Sequence, residues 1–167
     1  MFENCKYNRE HNSDLIEIYN TLNEEYFDCE LPEIEEGIME IEWSNRLTAS
    51  AGIVYHHYNG KQLIRISSHY ANKYPEDVEA TVLHEMIHIK CPGHGEDFKT
   101  EMKRINRLGG IQVSINSIGR AKDGKWLYIC TNCNHVHERI RRVSNYKRKR
   151  CSCKGKLIEE KRSGQHE

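Results

Sequence analysis

The segment PEDVEATVLHEMIHIKCPGH, residues 75–94, limits what this chain can fold into more than any other stretch. Pro75 followed by acidic residues is typical of a helix start, and Cys-Pro-Gly at 91–93 predicts the helix end. Apolar residues cover most of the circumference of the predicted helix over 75–90: Val78, Val82, Leu83, Met86 and Ile87. We therefore expect a buried helix, on which polar side chains carry a desolvation cost unless they are paired or bound.

Two histidines on this helix, His84 and His88, are four residues apart and project from the same face. Two imidazoles in that geometry can bind one Zn²⁺, and the neighbouring Glu85 is placed to act as a general base rather than as a ligand. A catalytic zinc keeps one coordination position open for water, whose pKa it lowers to about 7. The pattern therefore predicts a catalytic zinc site.

A zinc site of this kind needs a third protein ligand. His94 lies six residues after His88, and a turn at 91–93 brings the chain back towards the metal. The alternatives are Cys91, which is close to the helix end, and Glu101, which lies on the following helix. The sequence favours His94 over both.

The other patterns before residue 120 predict a mixture of helices and strands. We expect a helix over 13–27 capped by Ser13. Three strands follow over 38–43, 48–57 and 62–67, with a turn at Asn59-Gly60 between the last two. A later helix carries Phe98, Met102 and Ile105 and ends at Gly109-Gly110, and residues 111–115 form a short strand or extended link. Tyr55, His56, His57 and Tyr58 are candidates, by composition only, for a group that stabilises a reaction oxyanion.

Four cysteines near the C-terminus form two closely spaced pairs: Cys130 with Cys133, and Cys151 with Cys153. Four thiolates from two short loops make a closed structural zinc site, which can replace the core that so short a segment cannot build. The second pair is Cys-x-Cys, in which the two thiols are one residue closer in sequence than in Cys-x-x-Cys. His135 or His137 is therefore an alternative ligand to one of its thiols. Scattered free thiols are the other alternative. The segment between the pairs resembles a hairpin with its turn at Ser144-Asn145.

The formal net charge of zero hides a strong asymmetry. Residues 1–99 hold 8 Lys and Arg against 19 Asp and Glu, a charge of −11, and residues 100–167 hold 17 against 6, a charge of +11. This asymmetry indicates an anionic partner for the C-terminal part, with nucleic acid the first candidate. Attraction between the two oppositely charged halves is the alternative.

Seven basic side chains lie between the cysteine pairs: Arg139, Arg141, Arg142, Lys147, Arg148, Lys149 and Arg150. Basic groups neutralise phosphates, and aromatic rings stack on unpaired bases, a part that Trp126, Tyr128 and Tyr146 can play. The segment predicts contact with DNA, including single-stranded DNA. A solvated surface is the alternative.

The N-terminal sequence MFENCKYNRE has no basic segment followed by an apolar run, and no apolar stretch approaches the ~18 residues of a membrane span. In such a chain cysteines are thiols or metal ligands more often than disulfides. We expect a protein of the cytoplasm, nucleoid or nucleus that is not secreted, has no membrane partner and is a monomer.

Several segments together resemble the SprT-like zinc metalloprotease family over most of the chain. LNEEYFDCELP resembles its N-terminal helix, and WSNRLTASAGI resembles the segment that joins strands before its active-site helix. LHEMIHIKCPGHGEDFKTEMKRIN resembles its HExxH helix, turn and following helix. YICTNCNHVHERIRR and YKRKRCSCKGKL resemble the zinc ribbon of its bacterial-type members.

This resemblance implies an α+β fold: a zincin-like metalloprotease core over 1–120 and a small C-terminal β zinc ribbon over 121–167. It implies a catalytic zinc held by His84, His88 and His94, with Glu85 as the base. It also implies an endopeptidase that acts on proteins, and in the Spartan branch the activity depends on DNA and clears DNA–protein crosslinks. The short loop before His94 and the Cys-x-Cys pair depart from the family pattern. The alternative is a nucleic-acid-binding or regulatory zinc protein with weak or no peptidase activity.

Overall fold

The computed structural model describes residues 12–162, and the chain divides into two compact units between Ala121 and Lys122. The predicted domains include residues 1–11 and 163–167, which lie outside the described range. The assignment of the first unit to a metalloprotease domain and of the second to a ribbon module stays a prediction.

The first unit is built from helices and a small sheet. Its helices are α1 (Ser13–Phe27), α2 (Ser68–Lys73), α3 (Val78–Lys90) and α4 (Glu96–Leu108), and its strands are β1 (Met39–Ser44), β2 (Gly52–His56) and β3 (Gln62–Ser67). The sheet order is β1-β3-β2, with β1 parallel and β2 antiparallel to β3. Strand β2 therefore lies at an edge of this sheet. The predicted α+β class is confirmed.

Helix α3 lies in the middle of the core, as its apolar circumference predicts. Val78, Val82, Leu83, Met86 and Ile87 are all fully buried. The facing stripe of α1 and the inner residues of the sheet complete this core: Leu15, Tyr19, Leu22, Tyr26, Met39, Ile41, Ile64 and Ile66. Each large apolar side chain contributes roughly 1.5–3 kcal/mol by leaving water. The burial fixes α3, and with it the polar residues that the helix carries.

Two local predictions in the first unit are wrong, and one helix was missed. Ser13 is the first helical residue rather than the cap, and Asn12 precedes it without a side-chain capping bond. Residues 75–77 form a separate 3₁₀ turn before α3, and helix α2 was missed. Its signal was the cap: the Ser67 hydroxyl accepts a hydrogen bond from the Tyr70 N–H at 3.2 Å. Residues 111–115 form an extended link, which is one of the two predicted alternatives for this segment.

The second unit is a three-stranded antiparallel sheet. Its strands are β4 (Trp126–Cys130), β5 (Val136–Arg139) and β6 (Leu157–Lys161), in the order β5-β4-β6. The turn at Ser144-Asn145 is confirmed, because the Tyr146 N–H donates to the Val143 carbonyl at 3.3 Å. The hairpin is wrong, since a 3₁₀ turn at Tyr146–Arg148 follows and β6 pairs with β4 instead.

None of the helices within residues 12–162 combines the length and the apolar character needed to cross a lipid bilayer.

Candidate active site and cysteine cluster

Three imidazole nitrogens converge at the end of α3. The Nε2 atoms of His84, His88 and His94 are 3.2 Å (84 to 88), 3.1 Å (88 to 94) and 3.0 Å (84 to 94) apart. Two nitrogens on one tetrahedral Zn²⁺, each 2.0–2.1 Å from the metal, are about 3.3 Å apart. The three residues therefore fit a single ion. Cys91 and Glu101 do not join this group, and the Glu101 carboxylate pairs with Arg104 at 2.7 Å.

Backbone carbonyls set the orientation of two of these rings. His84 Nδ1 lies 2.8 Å from the Ser114 carbonyl oxygen, and His88 Nδ1 lies 3.1 Å from the Cys91 carbonyl oxygen. A proton on each Nδ1 leaves the Nε2 lone pair free to bind a metal. Burial lowers the pKa of His84 to about 4 and also lowers the pKa of His88, so both rings are held in the neutral form that ligands require.

The turn that brings His94 back follows from the residues after α3. Cys91 ends the helix, and Gly93 adopts a left-handed φ of 74°, which a side chain would disfavour. Helix α4 begins at Glu96 and places Phe98 beneath the cluster, with its ring centroid 4.6–4.9 Å from all three imidazole centroids. The sequence predicted Phe98 only as a core residue, and its support of the three rings was missed.

The carboxyl group of Glu85 is enclosed against strand β2. Its residue is only 6% exposed, and burial raises the pKa of this carboxyl to about 7 although the Val54 N–H donates to it. Gly52 lies on the same strand against the Glu85 side chain: a Cβ built there would be 2.8 Å from Glu85 Cγ. Gly52 and Val54 were not among the site residues predicted from the sequence. The available signal was a glycine inside a strand pattern, which often marks close approach of another group.

A cleft of about 920 Å³ opens over these residues. Strand β2, helix α3 and the segment over 112–120 line it, together with His94 and its turn. Among Tyr55, His56, His57 and Tyr58, His56 is the residue that lines the cleft. The guanidinium of Arg65 covers the Tyr55 ring, and Tyr58 is fully exposed at the turn.

The four cysteines of the second unit are also brought together. Their Sγ atoms are 3.4 Å (130 to 153), 3.6 Å (133 to 151) and 3.4 Å (133 to 153) apart, against about 3.8 Å for two thiolates on one tetrahedral Zn²⁺. The tight Cys-x-Cys pair therefore fits the same site. His135 and His137 do not belong to this group of four ligand atoms, and His137 Nε2 contacts the Cys151 sulfur at 3.4 Å.

Backbone conformation explains how these short loops bring four thiols to one place. Asn134 and Lys154, each directly after a cysteine pair, adopt left-handed φ angles of 56° and 66°. The Gly155 N–H lowers the pKa of the Cys153 thiol to about 6, which favours the thiolate that binds metal. A Cβ on Gly155 would be 2.4 Å from the Cys130 sulfur, so the cluster also needs this glycine, which the sequence interpretation missed.

Comparison with known proteins decides the family. The sequence model of the SprT-like family matches residues 15–117, more than half of the 167-residue chain. The chain belongs to the SprT-like family. The matched residues of this SprT-like chain contain the three imidazoles and Glu85, whereas the cysteine cluster lies beyond them.

Relatives of this SprT-like chain include proteins named as metalloproteases. The chain is 34% identical over 113 residues to the DNA-dependent metalloprotease SPRTN of Bos taurus, covering 61% of this chain and 22% of that protein. It is 36% identical over 90 residues to the DNA-dependent metalloprotease dvc-1 of Caenorhabditis elegans, covering 46% of this chain and 24% of that protein. It is 30% identical over 87 residues to the Protein SprT-like of Lactococcus lactis, covering 50% of this chain and 58% of that protein. The chain thus spans about a fifth to a quarter of these animal relatives. These relatives support a metalloprotease of the SprT-like family that uses a metal ion.

The basic residues of the second unit follow the chain from the end of β5 to the 3₁₀ turn. Arg142 is engaged inside the unit, with Nη2 2.7 Å from the Glu159 carboxylate and its guanidinium 5.2 Å from the Trp126 ring centre. Lys147, Arg148, Lys149 and Arg150 are exposed. Tyr128 was expected to stack on bases, which is wrong, because it is 2% exposed and packs against Tyr146.

Proposed function

We propose that this SprT-like chain is a zinc-dependent endopeptidase. The observation that carries the proposal is the convergence of three imidazole Nε2 atoms within 3.2 Å of one another, beside the buried Glu85 and at the floor of an open cleft. Three imidazoles with an open cleft above them are the donor set of a catalytic rather than a structural zinc. His84, His88 and His94 are the proposed ligands.

The mechanism uses the groups around this cluster. When bound, Zn²⁺ supplies Lewis acidity that polarises a carbonyl and makes water more acidic. Glu85 takes the proton from the attacking water and gives it to the leaving amine, as a general base and then a general acid. Burial raises the pKa of this carboxyl and a bound dication lowers it, and a pKa between these two influences lets the carboxyl release the proton that it has accepted.

Strand β2 offers a place for an extended peptide. It lies at the edge of the sheet, and Gly52, Ile53, Val54 and His56 line the cleft. An edge strand binds a peptide by main-chain hydrogen bonds and is indifferent to most of its side chains, which suits an endopeptidase.

His56 is the proposed donor to the developing oxyanion. Val54 and His56 are two residues apart on β2, so their side chains point to the same face of the sheet, the face where α3 packs. His56 lines the same cleft as His84, His88 and His94. It is therefore close to the metal ligands, where a donor can stabilise negative charge in the transition state.

The second unit is the proposed DNA-binding module. Cys130, Cys133, Cys151 and Cys153 hold a structural zinc, which makes two zinc ions per chain. The proposed DNA contacts are Arg139, Arg141, Arg142, Lys147, Arg148, Lys149 and Arg150. Two animal relatives are named DNA-dependent metalloproteases, and this supports activation by DNA.

From these parts we infer a monomeric enzyme of the nucleoid or nucleus. It degrades DNA-bound proteins in the repair of DNA–protein crosslinks. The first unit carries the peptidase, and the second recognises the DNA.

The test compares wild type with Glu85→Gln on a fluorescently labelled basic protein, with and without single-stranded DNA. We expect cleavage by wild type only, strongly increased by DNA, and two zinc ions per chain in both proteins. A third protein with Lys147, Arg148 and Lys149 changed to alanine should keep both zinc ions and lose DNA stimulation.

Three outcomes would contradict parts of this proposal. Equal cleavage by Glu85→Gln removes Glu85 from its role. Cleavage that ignores DNA removes the crosslink-repair function. Zinc and DNA binding without any cleavage by wild type favours a regulatory, nucleic-acid-binding protein instead.

A further inference from the structure

The backbone conformation at Gly52 is one that any residue can adopt, so it does not explain why this residue is a glycine. Gly52 pairs with Ile66 inside the antiparallel β2–β3 ladder, and its φ is not in the left-handed region. A glycine inside a strand weakens the strand, because it loses more conformational freedom and packs no side chain. Its presence in β2 therefore needs another physical reason.

That reason is the side chain on the neighbouring helix. A Cβ added to Gly52 would be 2.8 Å from Glu85 Cγ, 2.9 Å from Oε1 and 3.1 Å from Cδ. Real carbon atoms do not approach this closely without movement, and the nearest atoms all belong to one side chain. The bare Cα of Gly52 is thus the surface against which the Glu85 carboxyl lies.

A second group on the same strand holds the carboxyl from another side. The Val54 N–H donates a hydrogen bond to Glu85, two residues along β2 from Gly52. One group on β2 leaves space and the other donates a hydrogen bond, and both act on the same carboxyl. Helix α3 alone would leave the three rotatable bonds of Glu85 free to choose other rotamers.

We propose that Gly52 is a positioning residue for the catalytic base, and that Gly52 and Val54 together fix the Glu85 carboxyl for proton transfer. This inference rests on the proposed peptidase function. A methyl group at residue 52 displaces the carboxyl towards the cleft and leaves the three imidazoles where they are. Misplacement of a catalytic group by about 1 Å costs about 10²-fold in rate.

The experiment measures kcat, KM and zinc content for wild type, Gly52→Ala and Glu85→Gln, with the labelled basic protein on single-stranded DNA as substrate. We expect Gly52→Ala to lose about 10²-fold in kcat with little change in KM, and to keep both zinc ions. Gly95→Ala is the matched control, because a Cβ at Gly95 meets no atom within 4 Å. It should keep the wild-type kcat.

The outcomes separate this inference from the proposed function. No cleavage by wild type, or full cleavage by Glu85→Gln, overturns the peptidase and this inference with it. An active wild type, an inactive Glu85→Gln and a Gly52→Ala variant of normal kcat overturn this inference alone. A fall in kcat/KM that is accompanied by loss of zinc also overturns it, because the substitution then acts through the zinc-binding imidazoles.

A second variant covers failure to fold. If Gly52→Ala unfolds because its methyl group collides with Glu85, then adding Glu85→Ala must restore the fold. Recovery of the melting temperature and of both zinc ions in the double variant supports the contact. Unfolding of both variants overturns the proposal, since the glycine is then required by something other than the base.

Discussion

Replacing Asn106 with alanine will weaken zinc binding at the imidazole cluster, although Asn106 touches none of the imidazoles. Its amide holds the buried Val113 by both backbone groups: Nδ2 donates to the carbonyl oxygen at 2.9 Å, and Oδ1 accepts from the N–H at 2.8 Å. The next residue, Ser114, supplies the carbonyl that accepts from His84 Nδ1 at 2.8 Å. Asn106 therefore fixes the group that orients His84.

The size of the effect follows from these bonds. Each hydrogen bond between the amide and Val113 is worth about 1 kcal/mol net, so we expect Asn106→Ala to lower the free energy of unfolding by about 2 kcal/mol. Loss of the partner that orients a metal ligand costs 10–100-fold in metal affinity, on the order of 1.4–2.7 kcal/mol. Asn106→Ala leaves the Ser114 carbonyl in place but less firmly held, so the zinc dissociation constant of the imidazole site should rise by up to that factor.

Competition with a chelator measures this affinity, and cobalt substitution separates the two sites, since thiolate and imidazole ligands give different absorption spectra. The thiolate site of the same protein is an internal reference and should not change. Asn59→Ala is the matched control: its amide oxygen also accepts from a backbone N–H, that of Lys61 at 3.1 Å, but in the β2–β3 turn. A variant of reduced stability with wild-type zinc affinity would refute the reasoning, because Asn106 would then support the fold alone.

Three further predictions concern the reaction and the second unit. His56→Ala should lower kcat by about 10²–10³-fold and leave zinc content unchanged, and an unchanged kcat would exclude it as the oxyanion donor. Cys153→Ser should remove one zinc ion per chain and unfold the second unit by circular dichroism, while retention of both ions would exclude this thiol as a ligand. Burial raises the pKa of the Glu85 carboxyl to about 7, and a bound dication lowers it again, so activity should fall as the pH drops through a value below 7 and the base is protonated. A pH–rate profile of kcat/KM without this acidic limb would contradict the role of Glu85.

Local chemistry made much of the site predictable. The four-residue spacing of His84 and His88 puts two rings on one face of any helix, and the apolar circumference of α3 requires that helix to be buried. The turn signal at 91–93 indicated that the chain reverses, so His94 could be chosen over Cys91. The two cysteine pairs likewise predicted a thiol cluster from spacing alone. In each case the information lies within about one turn or one loop of sequence.

Sequence alone determined which residues can bind a metal, that α3 is buried and that the charge of the chain is divided. The tertiary structure decided what surrounds them: the Ser114 carbonyl on His84, the bare Cα of Gly52 under Glu85, the His56 ring in the cleft and the burial of Tyr128. The pairing of β6 with β4, and not a hairpin over 139–150, was decided in the same way. The physical reason is that these contacts join residues about 18 to 35 positions apart, as in Gly52 with Glu85, where neither helical nor strand periodicity specifies which groups meet.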